Sequence, residues 1–119
     1  MRSFLSTANC WPSKEQELLL RACLLTGNKA LAAWQQWENV LGKRTLDLGS
    51  HRLLPLLYRN LHNHGIDEPL TVSFKQEYFH TWSQNQFTFH RLAALIREFN
   101  QAGIETMLLK GAALVMLFY

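Results

Sequence analysis

Apolar side chains recur every three or four residues along most of this chain, a spacing typical of amphipathic helices. The first such stretch follows Ser13, whose hydroxyl suits a helix cap, and it predicts a helix that ends near Leu25. The second lies between Asn28 and Leu41 and carries Trp34 and Trp37 on its apolar side. A paired tryptophan stripe of this kind indicates a packed core rather than a cage for a ligand.

Two more helices are predicted downstream. The third spans about His51 to Asn63 with Ser50 as its cap, and the fourth, the longest, spans about Pro69 to Ala102. Gly65-Ile66 follows the third helix and Gly103-Ile104 follows the fourth. A glycine and then an apolar residue form a common helix ending, because glycine adopts the left-handed conformation without strain.

One turn of the fourth helix, Ser83 to Gln86, interrupts the apolar stripe with polar side chains. The favoured interpretation is a break or kink in contact with solvent. The alternative is functional, with the amides of Asn85 and Gln86 lining a cleft.

The last stretch, Ile104 to Tyr119, has a different pattern. Met107 to Leu109 is an apolar run long enough for one buried strand, Lys110-Gly111 interrupts it, and Ala112 to Phe118 reads as a helix start. A strand, a glycine turn and a helix N-terminus form a place where backbone N–H groups can face an anion. Spacing alone favours an ordinary tight turn with an exposed lysine.

Three blocks of this sequence resemble an uncharacterised bacterial nucleotidyltransferase family, which is similar to the polymerase-β-like nucleotidyltransferases. The blocks are LLLRACLL at 18–25, RLLPLLYRNL at 52–61 and, most specifically, LLKGAAL at 108–114. The resemblance implies that a strand–glycine–helix unit holds the triphosphate of an NTP. It also implies that a following strand carries an Asp-x-Asp/Glu pair for Mg²⁺.

Carried onto this chain, the resemblance implies nucleotide binding by Lys110, Gly111, Ala112 and Ala113. Gly111 has no Cβ to keep phosphate oxygens away from the backbone, the amides of the two alanines donate, and the lysine adds a positive charge. Ala112 stands where the wider superfamily has Gly or Ser, so it offers no hydroxyl. The acidic pair is expected beyond Tyr119, so no catalytic or metal-binding residue is assigned and no Mg²⁺ is expected on this chain alone.

Composition narrows the classes of protein that fit. With 48% hydrophobic and 18% charged residues the chain is globular, and its net charge of +3 comes without a basic run, which argues against nucleic acid as a partner. Its longest apolar stretch is far shorter than the ~20 residues of a membrane-spanning helix. Cys10 and Cys23 form no C-x-x-C pair, which predicts reduced thiols and a cytoplasmic location.

Other chemistry finds no support in the sequence. The five histidines have neither the spacing nor the partners of a zinc site, and solvated or hydrogen-bonded rings are the favoured interpretation. The acidic pairs Glu15/Glu17 and Asp67/Glu68 lie at predicted helix starts, where the helix dipole accounts for them.

The sequence therefore predicts a mainly α chain. Residues 1–103 form a helical N-terminal region of four helices, and residues 104–119 begin the first strand and helix of an α+β nucleotidyltransferase core. By resemblance, the function is transfer of a nucleotidyl group from an NTP to an acceptor that the sequence does not identify, with this portion inactive alone. The alternative is a non-enzymatic helical interaction module. If the 119 residues are the whole protein, exposed apolar area from Met107 to Tyr119 is expected to drive self-association.

Overall fold

The computed structural model describes residues 11–41 and 45–113, and 76% of them are helical with no strand among them. The mainly α fold is therefore confirmed. The five longest helices of the described residues are α1 (Lys14–Leu24), α2 (Gly27–Leu41), α3 (Leu48–His51), α4 (Leu54–Asn63) and α5 (Pro69–Gln101). None of the helices in the described residues combines the length and the apolar character needed to cross a membrane.

The predicted start of the first helix is confirmed. The Ser13 hydroxyl accepts a hydrogen bond from the Gln16 backbone N–H at 3.2 Å, and the Gln16 side chain accepts one from the Ser13 N–H at 2.9 Å. This reciprocal pair is a capping box, which satisfies two N–H groups that the helix itself leaves without partners.

The predicted third helix is α4, which ends at Asn63 as predicted but begins at Leu54, and Ser50 is not its cap. Asp47 caps α3 by accepting a hydrogen bond from the Ser50 N–H at 3.1 Å, while Ser50 lies buried inside α3 and its hydroxyl donates to the same carboxylate. Pro55 explains the interruption, because it has no N–H to donate to the carbonyl of His51 and so falls at the start of α4.

Both predicted Gly-Ile helix endings are confirmed. Gly65 and Gly103 have φ values of 75° and 72°. The N–H of the isoleucine after each glycine donates to the carbonyl five residues earlier, at 3.0 Å and 2.9 Å. These are the bonds of a Schellman motif, which gives partners to carbonyls at the end of the helix.

The chain forms two compact units, Met1–Phe79 and His80–Tyr119, and their boundary falls inside α5. The first unit holds a core to which α1, α2, α4 and the start of α5 contribute. Its largest fully buried side chains are Trp34, Leu19, Leu57 and Leu61. The boundary predicted between residues 103 and 104 concerns the family's core and stays a prediction.

The helix α5 continues through residues 83–86, so a break there is wrong, while a kink stays a prediction. Its side chains there are exposed, including Asn85 and Gln86. Exposed polar side chains leave the backbone hydrogen bonds of a helix intact, so an interruption of the apolar stripe does not require an interruption of the helix.

Residues 104–109 are neither helix nor strand. The strand predicted at Met107 to Leu109 stays a prediction, because the described residues include no second strand to pair with it. Residues 111–113 are helical, and the rest of the helix predicted to reach Phe118 lies outside the described residues.

Candidate functional site

The predicted phosphate-binding turn has an unusual backbone conformation at Lys110. This residue has φ 58° and is the one non-glycine with a positive φ in the part of the chain that the structure describes. The left-handed conformation costs an L-amino acid about 1–2 kcal/mol. A left-handed residue directly before a helical turn directs successive N–H groups to one concave side, an arrangement that binds anions in many proteins.

Gly111 begins the helical turn, and its missing side chain is not required by packing. A Cβ placed there would meet no described atom within 4 Å, and Gly111 does not have the left-handed φ that favours glycine. Within the described residues, therefore, neither a close neighbour nor backbone strain explains why this position is glycine. The open space beside its backbone leaves room for a ligand group that approaches the N–H groups closely.

The electrostatics around this turn favour an anion. Lys110 and Gly111 are exposed, and Ala112 and Ala113 are half-buried. Lys110 forms no ion pair with another described residue, so its ammonium group is available to a ligand. The four predicted residues thus lie together as one continuous turn.

The carboxylates of Glu38 and Glu68 lie close together in the described structure, but no third metal ligand lies beside them. Burial and then the nearby Glu68 carboxylate raise the pKa of Glu38. In the described ranges, no group of three or more His, Cys, Asp or Glu side chains is placed to hold a metal ion. The described residues therefore do not form the carboxylate site that the resemblance implies for Mg²⁺.

Three histidines lie beside polar partners. His62 Nδ1 is 3.4 Å from Asp67 Oδ1, His80 Nε2 is 3.0 Å from Gln84 Nε2, and His51 Nε2 is 3.9 Å from Glu77 Oε1. Each of these rings is exposed; Glu77 and Gln84 lie on α5, and Asp67 lies in the connection between α4 and α5.

Sequence reasoning missed a polar contact made by Asn60, in α4, and His64, the residue directly after the end of α4. The Asn60 amide donates to the carbonyls of Ala22 and Leu25 at 2.7 Å and 2.9 Å. The Gly27 N–H donates to His64 Nε2 at 2.9 Å, and His64 Nδ1 lies 2.7 Å from the Asn60 carbonyl, to which it donates. These two side chains therefore cap both the end of α1 and the start of α2.

Two concave surfaces in the first unit are too small for a nucleotide. One, of about 50 Å³, lies beside Ser13, Trp37 and Asp47, and another, of about 210 Å³, lies beside Cys23 and Asn60. Small-molecule sites usually measure about 300–1,000 Å³. The turn at Lys110 is accordingly a better candidate for a nucleotide contact than either of these.

Comparison with known proteins gives one match. Residues 48–119 match the family described as uncharacterised nucleotidyltransferase, which is more than half of the chain. The chain belongs to this nucleotidyltransferase family. Searches among curated proteins and among solved structures each found no match.

The matched span of this nucleotidyltransferase chain contains α3, α4, α5 and the turn at Lys110. The block at 52–61 lies within it and the block at 18–25 lies outside it, in α1. The candidate turn therefore belongs to the part of the chain that the family shares.

The Cys23 thiol is expected to be unreactive towards alkylating reagents in the folded nucleotidyltransferase. It is a free cysteine, 4% exposed, whose sulfur lies 3.8 Å from the Leu53 carbonyl, and burial raises its pKa to about 12. The thiolate is the reactive form. In a Cys10→Ser background we expect iodoacetamide to leave Cys23 unmodified at pH 8 and to alkylate it in urea, as mass spectrometry would show.

Because the pKa of Cys23 is raised, the free energy of unfolding should fall as the pH rises above the ordinary pKa of a thiol. The folded state holds the thiol proton more tightly than the unfolded state, so this contribution to stability is complete below pH 9 and falls as the pH rises towards about 12. The free energy of unfolding should decrease by up to about 1.4 kcal/mol per pH unit in that range. A Cys23→Ala variant should lack this component, and an equal slope in both proteins would contradict the assignment.

Proposed function

We propose that this protein binds the triphosphate of an NTP at Lys110 to Ala113 and, as a nucleotidyltransferase, transfers the nucleotidyl group to an acceptor. The acceptor is not identified by the residues of this chain. Membership of the nucleotidyltransferase family supports an NTP as the substrate. We further propose that this chain alone binds nucleotide without catalysing the transfer.

One observation carries the proposal of the site. Lys110 has φ 58° directly before a helical turn that starts at Gly111, inside the span that matches the family. Strained backbone of this kind clusters at binding and catalytic sites, where the rest of the structure stabilises it. Glycine adopts this conformation most readily, and here the glycine is the next residue.

Each residue of the turn has a role in this proposal. The N–H groups of Ala112 and Ala113 donate to phosphate oxygens, and Gly111 lets those oxygens approach because no Cβ lies in the way. The Lys110 ammonium group supplies a positive charge to the triphosphate. Mg²⁺ would neutralise phosphate charge when bound. The described residues of this chain do not supply its ligands, so we assign none of them a role in binding the metal.

Calorimetric titration with ATP and with GTP, with and without Mg²⁺, tests this site. We expect Gly111→Val to weaken binding about tenfold to a hundredfold, because it displaces phosphate from N–H groups that each contribute about 1.5–3 kcal/mol to a charged partner. Gly111→Ala should have a smaller effect, and Lys110→Gln should weaken binding in a salt-dependent manner.

The control for the lysine is Lys75→Gln, which removes an exposed charge on α5 at a distance in sequence from the turn. The control for the glycine is thermal unfolding, since a Cβ at Gly111 meets no described atom and Gly111→Val should leave stability unchanged. Equal affinities in the wild-type protein and Gly111→Val, or no binding of either nucleotide, would contradict the proposed site.

The alternative, a helical interaction module, is favoured by a separate observation. Met107 and Leu109 are 82% and 70% exposed, which is unusual for large apolar side chains so close together. No nucleotide binding, together with self-association that is lost on Met107→Ser, would favour this module. The free thiol of Cys23 agrees with the proposed cytoplasmic location, where thiols stay reduced.

A further inference from the structure

The second half of α5 presents a surface whose charges complement a copy of themselves. Four residues define this surface, which we name the 91–98 face: Arg91, Ala94, Leu95 and Glu98. They lie at spacings of three and four, so they share one side of the helix. All four are exposed, and Leu95 has 47% of its surface in contact with solvent.

The 91–98 face lies along a shallow, open concavity of about 550 Å³, and the described residues that line it all belong to α5. Phe87, also among the lining residues, is 64% exposed. A helix surface with a leucine, an alanine and an adjacent phenylalanine in solvent leaves apolar area that association would remove from water. The small side chain of Ala94 permits another helix to approach closely.

The two charges on this face do not neutralise each other. Arg91 and Glu98 are seven residues apart, about 10 Å along a helix. In the part of the chain that the structure describes, neither forms an ion pair, and the Arg91 guanidinium lies over the Phe87 ring at 5.7 Å. The face therefore presents one unpaired positive charge and one unpaired negative charge on either side of an apolar centre.

We infer that a second copy of this chain packs antiparallel on the 91–98 face, with Arg91 of each copy opposite Glu98 of the other. A two-fold axis that passes between Ala94 and Leu95 produces this register, because residues equally far from the axis face each other in an antiparallel pair. Both ion pairs then form at once and flank the apolar centre. A parallel pair in register would instead place each charge opposite its own kind.

Such a dimer is expected to be weak. A contact between one helix of each copy lies at the small end of specific interfaces, below about 1,200 Å² of total buried surface. We therefore expect a dissociation constant in the micromolar range, with association that weakens as salt screens the two ion pairs.

Sedimentation velocity of the 119-residue chain over a range of concentrations tests this inference. We expect a monomer–dimer equilibrium that Arg91→Glu and Glu98→Arg each weaken by about tenfold or more, since each places like charges opposite each other twice. The double variant Arg91→Glu/Glu98→Arg restores opposite charges and should recover the dimer. Arg97→Glu is the matched control, because it makes the same charge reversal on α5 at a residue that is not one of the four in the 91–98 face.

Three outcomes overturn the inference. One is a monomer at every concentration, a second is a dimer whose affinity is the same in the wild-type protein and in the single and double charge variants, and the third comes from two further substitutions. Leu95→Lys and Met107→Lys distinguish a dimer contact through this face from one through the apolar segment at Met107. Dissociation by Met107→Lys with no effect of Leu95→Lys would place the contact in that segment and exclude the 91–98 face. These are surface substitutions, and circular dichroism would verify that each variant remains folded.

Discussion

Replacing Trp34 with alanine should lower the free energy of unfolding by about 3–5 kcal/mol, the largest effect expected for a single substitution in this chain. Trp34 is 1% exposed and lies at the centre of the first unit. Its ring is 5.8 Å from Trp37 and 6.1 Å from Phe74, the latter in an edge-to-face arrangement at 87°. Alanine would remove both ring contacts and leave a cavity that the helices around it cannot fill.

Trp34→Phe should be much less damaging. The Trp34 Nε1–H is buried and has no hydrogen-bond partner among the described residues, which costs about 1–3 kcal/mol. Phenylalanine removes this group as well as part of the ring, so the two effects partly offset each other. Urea unfolding followed by circular dichroism measures both variants, with Trp82→Ala as the control because Trp82 is 50% exposed. A similar loss in Trp34→Ala and Trp82→Ala would contradict the assignment of the core.

The second large effect is expected at Asn60. Asn60→Leu keeps a side chain of similar size but removes the two hydrogen bonds to the carbonyls of Ala22 and Leu25, at 2.7 Å and 2.9 Å. These carbonyls lie at the end of α1, where the helix itself supplies no donor. We expect a loss of about 2–4 kcal/mol, since each carbonyl that loses its partner costs about 1–3 kcal/mol and water recovers part of that.

Asn63→Leu is the matched control for Asn60, because Asn63 lies in the same turn of α4 and is exposed. It should change the free energy of unfolding by no more than about 0.5 kcal/mol. Asn60→Asp should destabilise the protein at neutral pH, since a carboxylate cannot donate to a carbonyl. Equal stability of Asn60→Leu and Asn63→Leu would show that the capping bonds contribute nothing.

Features that depend on neighbouring residues were predictable from the sequence. The cap at Ser13 and the glycine endings at Gly65 and Gly103 each require only a few consecutive residues, and all three are present. The burial of Trp34 and Trp37 followed from helical spacing. The short helix α3 was missed, because Asp47 and Ser50 both have side chains suited to a cap and only their mutual hydrogen bond decides which one acts.

The contact of Asn60 and His64 with the α1–α2 connection was beyond sequence reasoning for a different reason. These contacts join positions more than 30 residues apart in the sequence. The only local sign of them is an Asn and a His four residues apart, a pattern that also occurs on solvated surfaces.

The candidate site was predictable in place but not in conformation. The order of a strand-like run, Lys110-Gly111 and a helix start locates the turn. Nothing about a lysine predicts a left-handed backbone, since glycine, asparagine and aspartate are the residues that adopt it most readily. The structure was needed to place the positive φ at Lys110 and an ordinary φ at Gly111.

The distribution of buried side chains along α5 has a dynamic consequence. In the described residues of this helix only Thr71 and Phe74 are buried, and beyond residue 79 no described side chain is. Hydrogen bonds in that second half lie beside side chains that are at most half-buried, whereas those near Phe74 lie beside the core. Amide protons of one uninterrupted helix should therefore exchange with solvent through two different events, local opening in its second half and global unfolding near its start.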